Sequence, residues 1–128
     1  MRAADAARAL VGARFRLGGR APDTGLDCVG VAAIALAAAG VRVVPPRGYA
    51  LRGGDPTHAT AVLDGLLMRA AYERPGDVVL MRPGPGQLHL GVRTPGGMVH
   101  ADAGLGRVVE RPGAPPWAVL GVWRTEGD

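Results

Sequence analysis

Thr24-Gly25-Leu26-Asp27-Cys28-Val29-Gly30 is the stretch whose reading decides the fold. It ends a glycine- and proline-containing loop, Arg16 to Leu26, and opens an alanine-rich run, Val29 to Ala39, that reads as a helix. Asp27 is placed to cap that helix and Gly40 to stop it. Cys28 then stands in its first turn. It is the only cysteine, and the chain has no serine, so a covalent nucleophile must be Cys28 or one of a few threonines. Free thiols have a pKa near ~8.5, and a helix N-terminus or a neighbouring imidazolium lowers it to roughly 3.5–7.5. The dipole acts within the first turn, where Cys28 sits. A thiolate is the expectation here; the alternative is a small buried hydrophobe.

Outward from that helix, Arg2 to Phe15 has Ala6, Leu10, Val11 and Arg14 at helical spacing, predicting a short amphipathic helix. Val41 to Asp55 reads as a loop. Asp55-Pro56 looks like a cap and first helical position, followed by the apolar stripe Val62, Leu63, Leu66, Leu67 and Ala70. After Pro75-Gly76 the period changes to that of strands. Asp77–Met81, Leu88–Thr94, Met98–Ala101, Arg107–Glu110 and Val119–Arg124 are each bounded by Gly or Pro. Helices followed by a run of strands predict an α+β fold with an antiparallel sheet of about five strands.

The 128 residues suit a single domain, residues 1–128, with one core. One cysteine excludes an internal disulfide. The net charge of +4 comes with no lysine at all, and the arginines are scattered, so a nucleic-acid footprint is not expected. A modest basic surface would suit an anionic polymer, including cell wall. No segment approaches the roughly 20 apolar residues of a membrane span. The first fifteen residues hold Asp5 and no unbroken apolar core, so they do not read as a secretory signal peptide.

A catalytic thiol needs a base, and near neutral pH that is histidine. His58 follows Pro56-Thr57 and reads as a surface residue. His89 alternates with Leu88 and Leu90, and Gly91 beside it suggests close approach by another element. His100 opposes Val99 and Ala101. Thr94-Pro95-Gly96-Gly97 is a turn signal. If Thr94 faces Gly97, then His89, His100 and Asp102 share one face, and the two histidines are diagonal neighbours roughly 7–8 Å apart at the backbone. A one-residue slip would put His100 on the other face. A thiol at a helix start, a base on a strand and an orienter on the next strand is the logic of cysteine-based acyl transfer.

Phe15-Arg16-Leu17-Gly18-Gly19-Arg20 followed by Thr24 to Gly30 resembles the signature of the NlpC family of papain-like cell-wall cysteine endopeptidases. Pro75-Gly76-Asp77-Val78-Val79-Leu80 resembles its first core strand, and His89-Leu90-Gly91-Val92 and Met98-Val99-His100-Ala101 its two histidine-bearing strands. The resemblance runs from about Val11 to Arg124 and is closest to the compact versions in phage tails and gene transfer agents. It implies a papain-like fold, Cys28 as nucleophile, His89 as general base and His100 as its orienter; by its face and charge, Asp102 is the rival orienter. It implies cleavage of peptidoglycan stem peptides, commonly between γ-D-glutamate and the diamino acid. Phe15 stands where the family often has tyrosine, and Val29 where serine is common.

Asp27, Arg20, Phe15 and Asp102 are expected to meet the substrate, and Asp23 and Arg47 lie in loops that could rim the cleft. Three ligands, Cys28, His89 and His100, could in principle hold zinc, but no close ligand pair such as CxxC is present, and no metal or cofactor is expected. Without lysine there is no Walker motif. Trp117 and Trp123 read as core or interface packing rather than a sugar platform. Expected partners are a peptidoglycan peptide and phage-tail or baseplate proteins, with synthesis in the cytoplasm and delivery in a tail-like particle. The competing readings are a non-catalytic tail component of the same fold and a cysteine amidase or acyltransferase.

Overall fold

The computed structural model describes residues 2–43 and 54–125. Most of the loop read at Val41 to Asp55, with Arg47, lies outside the described residues.

The second helix, α2 (Cys28–Ala38), is alanine, valine, isoleucine and leucine on every side, with one glycine. A helix apolar all round has to be covered all round. The first helix, α1 (Arg2–Arg8), lies against it with Ala3, Ala4 and Ala7 fully buried. Such small side chains let two helix backbones approach closely. The sequence pattern carried α1 to Phe15, but it stops at Arg8. Gly12 turns the chain at φ +96°, and the backbone there bonds to the sheet instead of continuing the helix. The Gly12 N–H donates to the Val108 carbonyl (2.9 Å) and the Val108 N–H to that of Ala13 (2.8 Å). Part of the expected loop also pairs, as a ribbon of β1 (Arg20–Ala21) and β2 (Gly25–Leu26). The third helix, α3 (Thr57–Leu66), begins one residue later than expected; Asp55 still accepts from the Thr57 N–H and hydroxyl.

All five expected strands form: β4 (Val78–Arg82), β5 (His89–Thr94), β6 (Gly97–Asp102), β7 (Arg107–Pro112) and β8 (Ala118–Arg124). A sixth, the two-residue β3 (Met68–Arg69), pairs with β8 at the sheet edge and is too short to show alternation. The antiparallel order is β3-β8-β4-β5-β6-β7. Val78, Leu80, Leu90, Val92, Val99, Ala101, Val108 and Trp123 point to the helices. Val79, Met81 and Met98 make a smaller cluster on the other face, with Trp117 against it. At about 1.5–3 kcal/mol per buried aliphatic side chain, the helix side dominates the stability.

Thr94 pairs with Gly97, Arg93 with Met98 and Val92 with Val99, the register on which the histidine geometry depends. Below Val92 the two strands part. Yet β5 stays paired to β4 down to Met81↔His89, and β6 to β7 down to Asp102↔Arg107. The sheet is thus open between β5 and β6 at the level of both histidines.

Candidate active site

Asp27 builds the site's first wall. As N-cap of α2 it accepts from the Gly30 N–H through Oδ1 (2.9 Å), from Arg20 Nη1 through the same oxygen (2.7 Å), and from the Gly18 N–H through Oδ2 (2.9 Å). One carboxylate therefore ties the Gly18–Arg20 loop to the helix start. Gly30 lets that loop sit tight, because a Cβ there would fall on the Gly19 carbonyl oxygen.

This stitching holds Cys28 at the first position of α2, half-buried and lining the same cleft as His89 and His100. The backbone N–H groups of Leu90 and Val29 are directed at its sulfur. Burial nevertheless pushes the thiol up to about 12, with the Asp27 charge adding to the rise, while the Leu90 N–H and Arg20 pull the other way. Of the two readings of Cys28, this environment favours the protonated thiol over the thiolate. Desolvation of an anion exceeds what one helix terminus and two N–H groups return.

Across the gap, His89 Nε2 and His100 Nδ1 are 2.9 Å apart, a hydrogen bond in which one nitrogen donates to the other. His100 is buried on β6, so the ring of His89 is braced from behind. With Nε2 engaged, the nitrogen of His89 left for a thiol proton is Nδ1. Burial, then the neighbouring His100, lowers His89 to about 4; burial also lowers His100, opposed by the charge of Asp102. Asp102 Oδ1 accepts from the Leu105 N–H (2.9 Å), closing the β6–β7 turn, and Asp102 reaches the two rings through its charge. At neutral pH the resting site is a neutral thiol beside neutral imidazoles.

Cys28, His89 and His100 line one cleft of about 900 Å³. Phe15, Arg20, Asp27 and Asp102, expected at the substrate, line it too. Asp23 is exposed and is not part of its wall, and His58 is exposed on α3. The oxygens of Asp27 are occupied by protein donors, so its contribution to the cleft is to hold Arg20 and the loop. Gly91 is explained as close approach: a Cβ there would strike the Met98 side chain. Among the described residues no three His, Cys, Asp or Glu side chains are arranged to hold a metal ion.

Trp123 is core, as expected, and fully buried. Trp117 packs as well, but on the imidazoles. Its ring stands 5.7 Å from His89 and 5.5 Å from His100, perpendicular to each within a few degrees. Strand alternation could not flag it, because it precedes β8 in a proline-rich loop.

No family model matches the sequence, and no curated protein does either. Solved structures do match. NlpC1 from Trichomonas vaginalis superposes with a TM-score of 0.71 at 23% identity, over 96% of this chain and 42% of that one. The P60 domain of an antigen from Mycobacterium avium subspecies paratuberculosis gives 0.64 at 22%, over 97% of this chain and 91% of the domain. The peptidoglycan hydrolase RipB from Mycobacterium tuberculosis gives 0.63 at 24%, over 96% and 62%.

The fold is the NlpC/P60 fold. It is α+β, as the order of helices and strands implied, and papain-like, as the resemblance implied. The chain covers less than two thirds of NlpC1 and of RipB but nearly all of the separate P60 domain, so the likeness is to an NlpC/P60 domain within longer proteins.

Proposed function

We propose that this chain is a cysteine peptidase that hydrolyses amide bonds of peptidoglycan stem peptides. Cys28 is the nucleophile, His89 the general base and acid, and His100 the residue that orients it. The observation that carries the reading is the 2.9 Å His89–His100 bond at the mouth of the open β5/β6 gap, in the same cleft as the lone thiol at the start of α2. That one of the structural neighbours is a peptidoglycan hydrolase supports the substrate class.

The neutral resting pair sets the mechanism. As sulfur attacks the amide carbon, its proton passes to His89 Nδ1, so charge separates only as the S–C bond forms. The oxyanion faces the Cys28 N–H, which as a first-turn donor has no carbonyl within its own helix. Collapse expels the amine, protonated by His89, and leaves a thioester. Water then gives a proton to His89, attacks the thioester, and the thiol is restored as the C–S bond breaks. Hydrolysis at the γ-D-glutamyl–diamino acid bond, and assembly into a phage-tail or gene-transfer-agent particle after cytoplasmic synthesis, are the finer parts of this reading and rest on the sequence resemblance.

Purified muropeptides incubated with the reduced, folded protein test it. Cleavage is expected, with release of a new amine seen by mass spectrometry, and Cys28→Ala is expected to lower it at least ~1,000-fold, as loss of a nucleophile does. No cleavage by the wild-type chain overturns the reading. It would favour a structural tail component of the same fold, a reading to which the neutral thiol and Phe15 in place of tyrosine both lend themselves. Products from an amidase or acyl transfer would differ in mass.

A further inference from the structure

We propose that Trp117 is a positioning residue for the histidine pair, selecting the tautomer in which His89 Nδ1 is free to accept the thiol proton. The inference rests on the Cys28–His89 reading above.

One proton lies in the His89–His100 hydrogen bond, and it can be placed in two ways. If His89 Nε2 donates, His89 Nδ1 is a bare acceptor for the thiol, and His100 carries its own proton on Nε2. If His100 Nδ1 donates, a neutral His89 has its proton on Nδ1, where it blocks the base, and His100 Nε2 is a bare lone pair. The two states therefore differ at one remote atom, His100 Nε2. That atom is buried and has no hydrogen-bond partner among the described residues. The charges of Asp102 and Arg111 and the Ala101 carbonyl act on the His100 ring, but among the described residues no side chain bonds its Nε2.

An aromatic neighbour is what the site offers instead. The indole of Trp117 lies 5.5 Å from the His100 ring at 82° and 5.7 Å from His89 at 88°, and the two imidazoles are themselves perpendicular, 5.0 Å apart. Three rings meeting edge to face leave little room for either imidazole to rotate. An indole π cloud accepts an N–H weakly and repels a lone pair. Its place against the ring whose Nε2 lacks a hydrogen-bond partner among the described residues thus favours protonation of that nitrogen, and with it the productive tautomer of His89. Trp117 is in turn held by the Arg111 guanidinium, 5.5 Å over its ring centre, and by packing against Val79, Met81 and Met98.

The test is a two-bond proton–nitrogen spectrum of histidine-labelled protein at pH 7, with resonances assigned through His58→Gln and His100→Gln. In the wild type, His89 and His100 are both expected to carry their protons on Nε2. In Trp117→Leu, His89 is expected to move toward a mixture with the Nδ1-protonated form, while Trp117→Phe, which keeps a ring, retains the wild-type pattern. In parallel, kcat on muropeptides is expected to fall about tenfold in Trp117→Leu, with KM changed less than about twofold, and to recover in Trp117→Phe. A wild-type His89 protonated on Nδ1 overturns the proposal, and so does a folded Trp117→Leu with unchanged tautomers. Should Trp117→Leu not fold, the wild-type and Trp117→Phe spectra still decide. The spectra need no substrate, so a protein that shows the tautomer shift yet cleaves nothing upholds the role of Trp117 and sinks the peptidase reading alone.

Discussion

His89 is held at about 4, well below the ordinary imidazole value of 6.5, chiefly because it is buried. In its proposed role as general base it must be neutral, so the acid limb of kcat/KM is expected near pH 4–5 rather than near 6.5. A limb at 6.5 in a pH–rate profile would show an exposed ring. The same shift links to stability. Above pH 6.5 the ring is neutral in both states and contributes no pH dependence. As pH falls from 6.5 to about 4, the unfolded chain takes up the proton first, and the native state loses up to roughly 3 kcal/mol. Urea midpoints measured across that window are expected to fall more steeply for wild type than for His89→Gln. Cys28 runs the other way. Its thiol stays protonated to about 12, so alkylation by iodoacetamide at pH 7 is expected to be slower than that of free cysteine and still rising at pH 10.

Two elements set the site, and each offers a test. At the start of α2, Asp27 accepts three hydrogen bonds at once. Asp27→Ala removes the cap and frees the Arg20 loop; a cost of about 2–3 kcal/mol is expected from thermal unfolding, with Asp27→Asn losing less. At the β5–β6 hairpin, the Thr94↔Gly97 pair places His89 and His100 on one face. One residue inserted between Pro95 and Gly96, if it shifts β6 by one position, turns His100 over. Loss of activity in a chain that still unfolds cooperatively is the expected result.

These elements also show how far sequence carries. Asp27, Cys28 and Gly30 were legible because capping is local: the cap and the N–H it satisfies are three residues apart. The hairpin was legible because a four-residue turn sets the register of both strands. The end of α1 was not, since Gly12 and Ala13 pair with Val108, nearly a hundred residues away. Two-residue strands such as β3 carry no period to read.

Across the whole molecule, one helix apolar on every side is covered by α1, α3 and a six-stranded sheet, with Trp123 fully buried between sheet and helices. Its indole N–H donates to Asp64 of α3 (2.8 Å). Trp123→Ala is expected to cost about 3–5 kcal/mol, read as a lowered urea midpoint, and to unfold the site with the core because α2 carries both.

The amino-acid order alone determined α2 and α3, the five long strands, the cap at Asp27 and the hairpin register, since each depends on neighbours within a turn or a strand; the choice of Cys28, His89 and His100 rested on the family resemblance as well. Tertiary structure decided the protonation of those groups and the place of Trp117. Charge in a cleft depends on how much water the surrounding elements exclude, and those elements come from opposite ends of the chain. A helix start that would favour a thiolate in isolation is here packed against β5, and desolvation prevails.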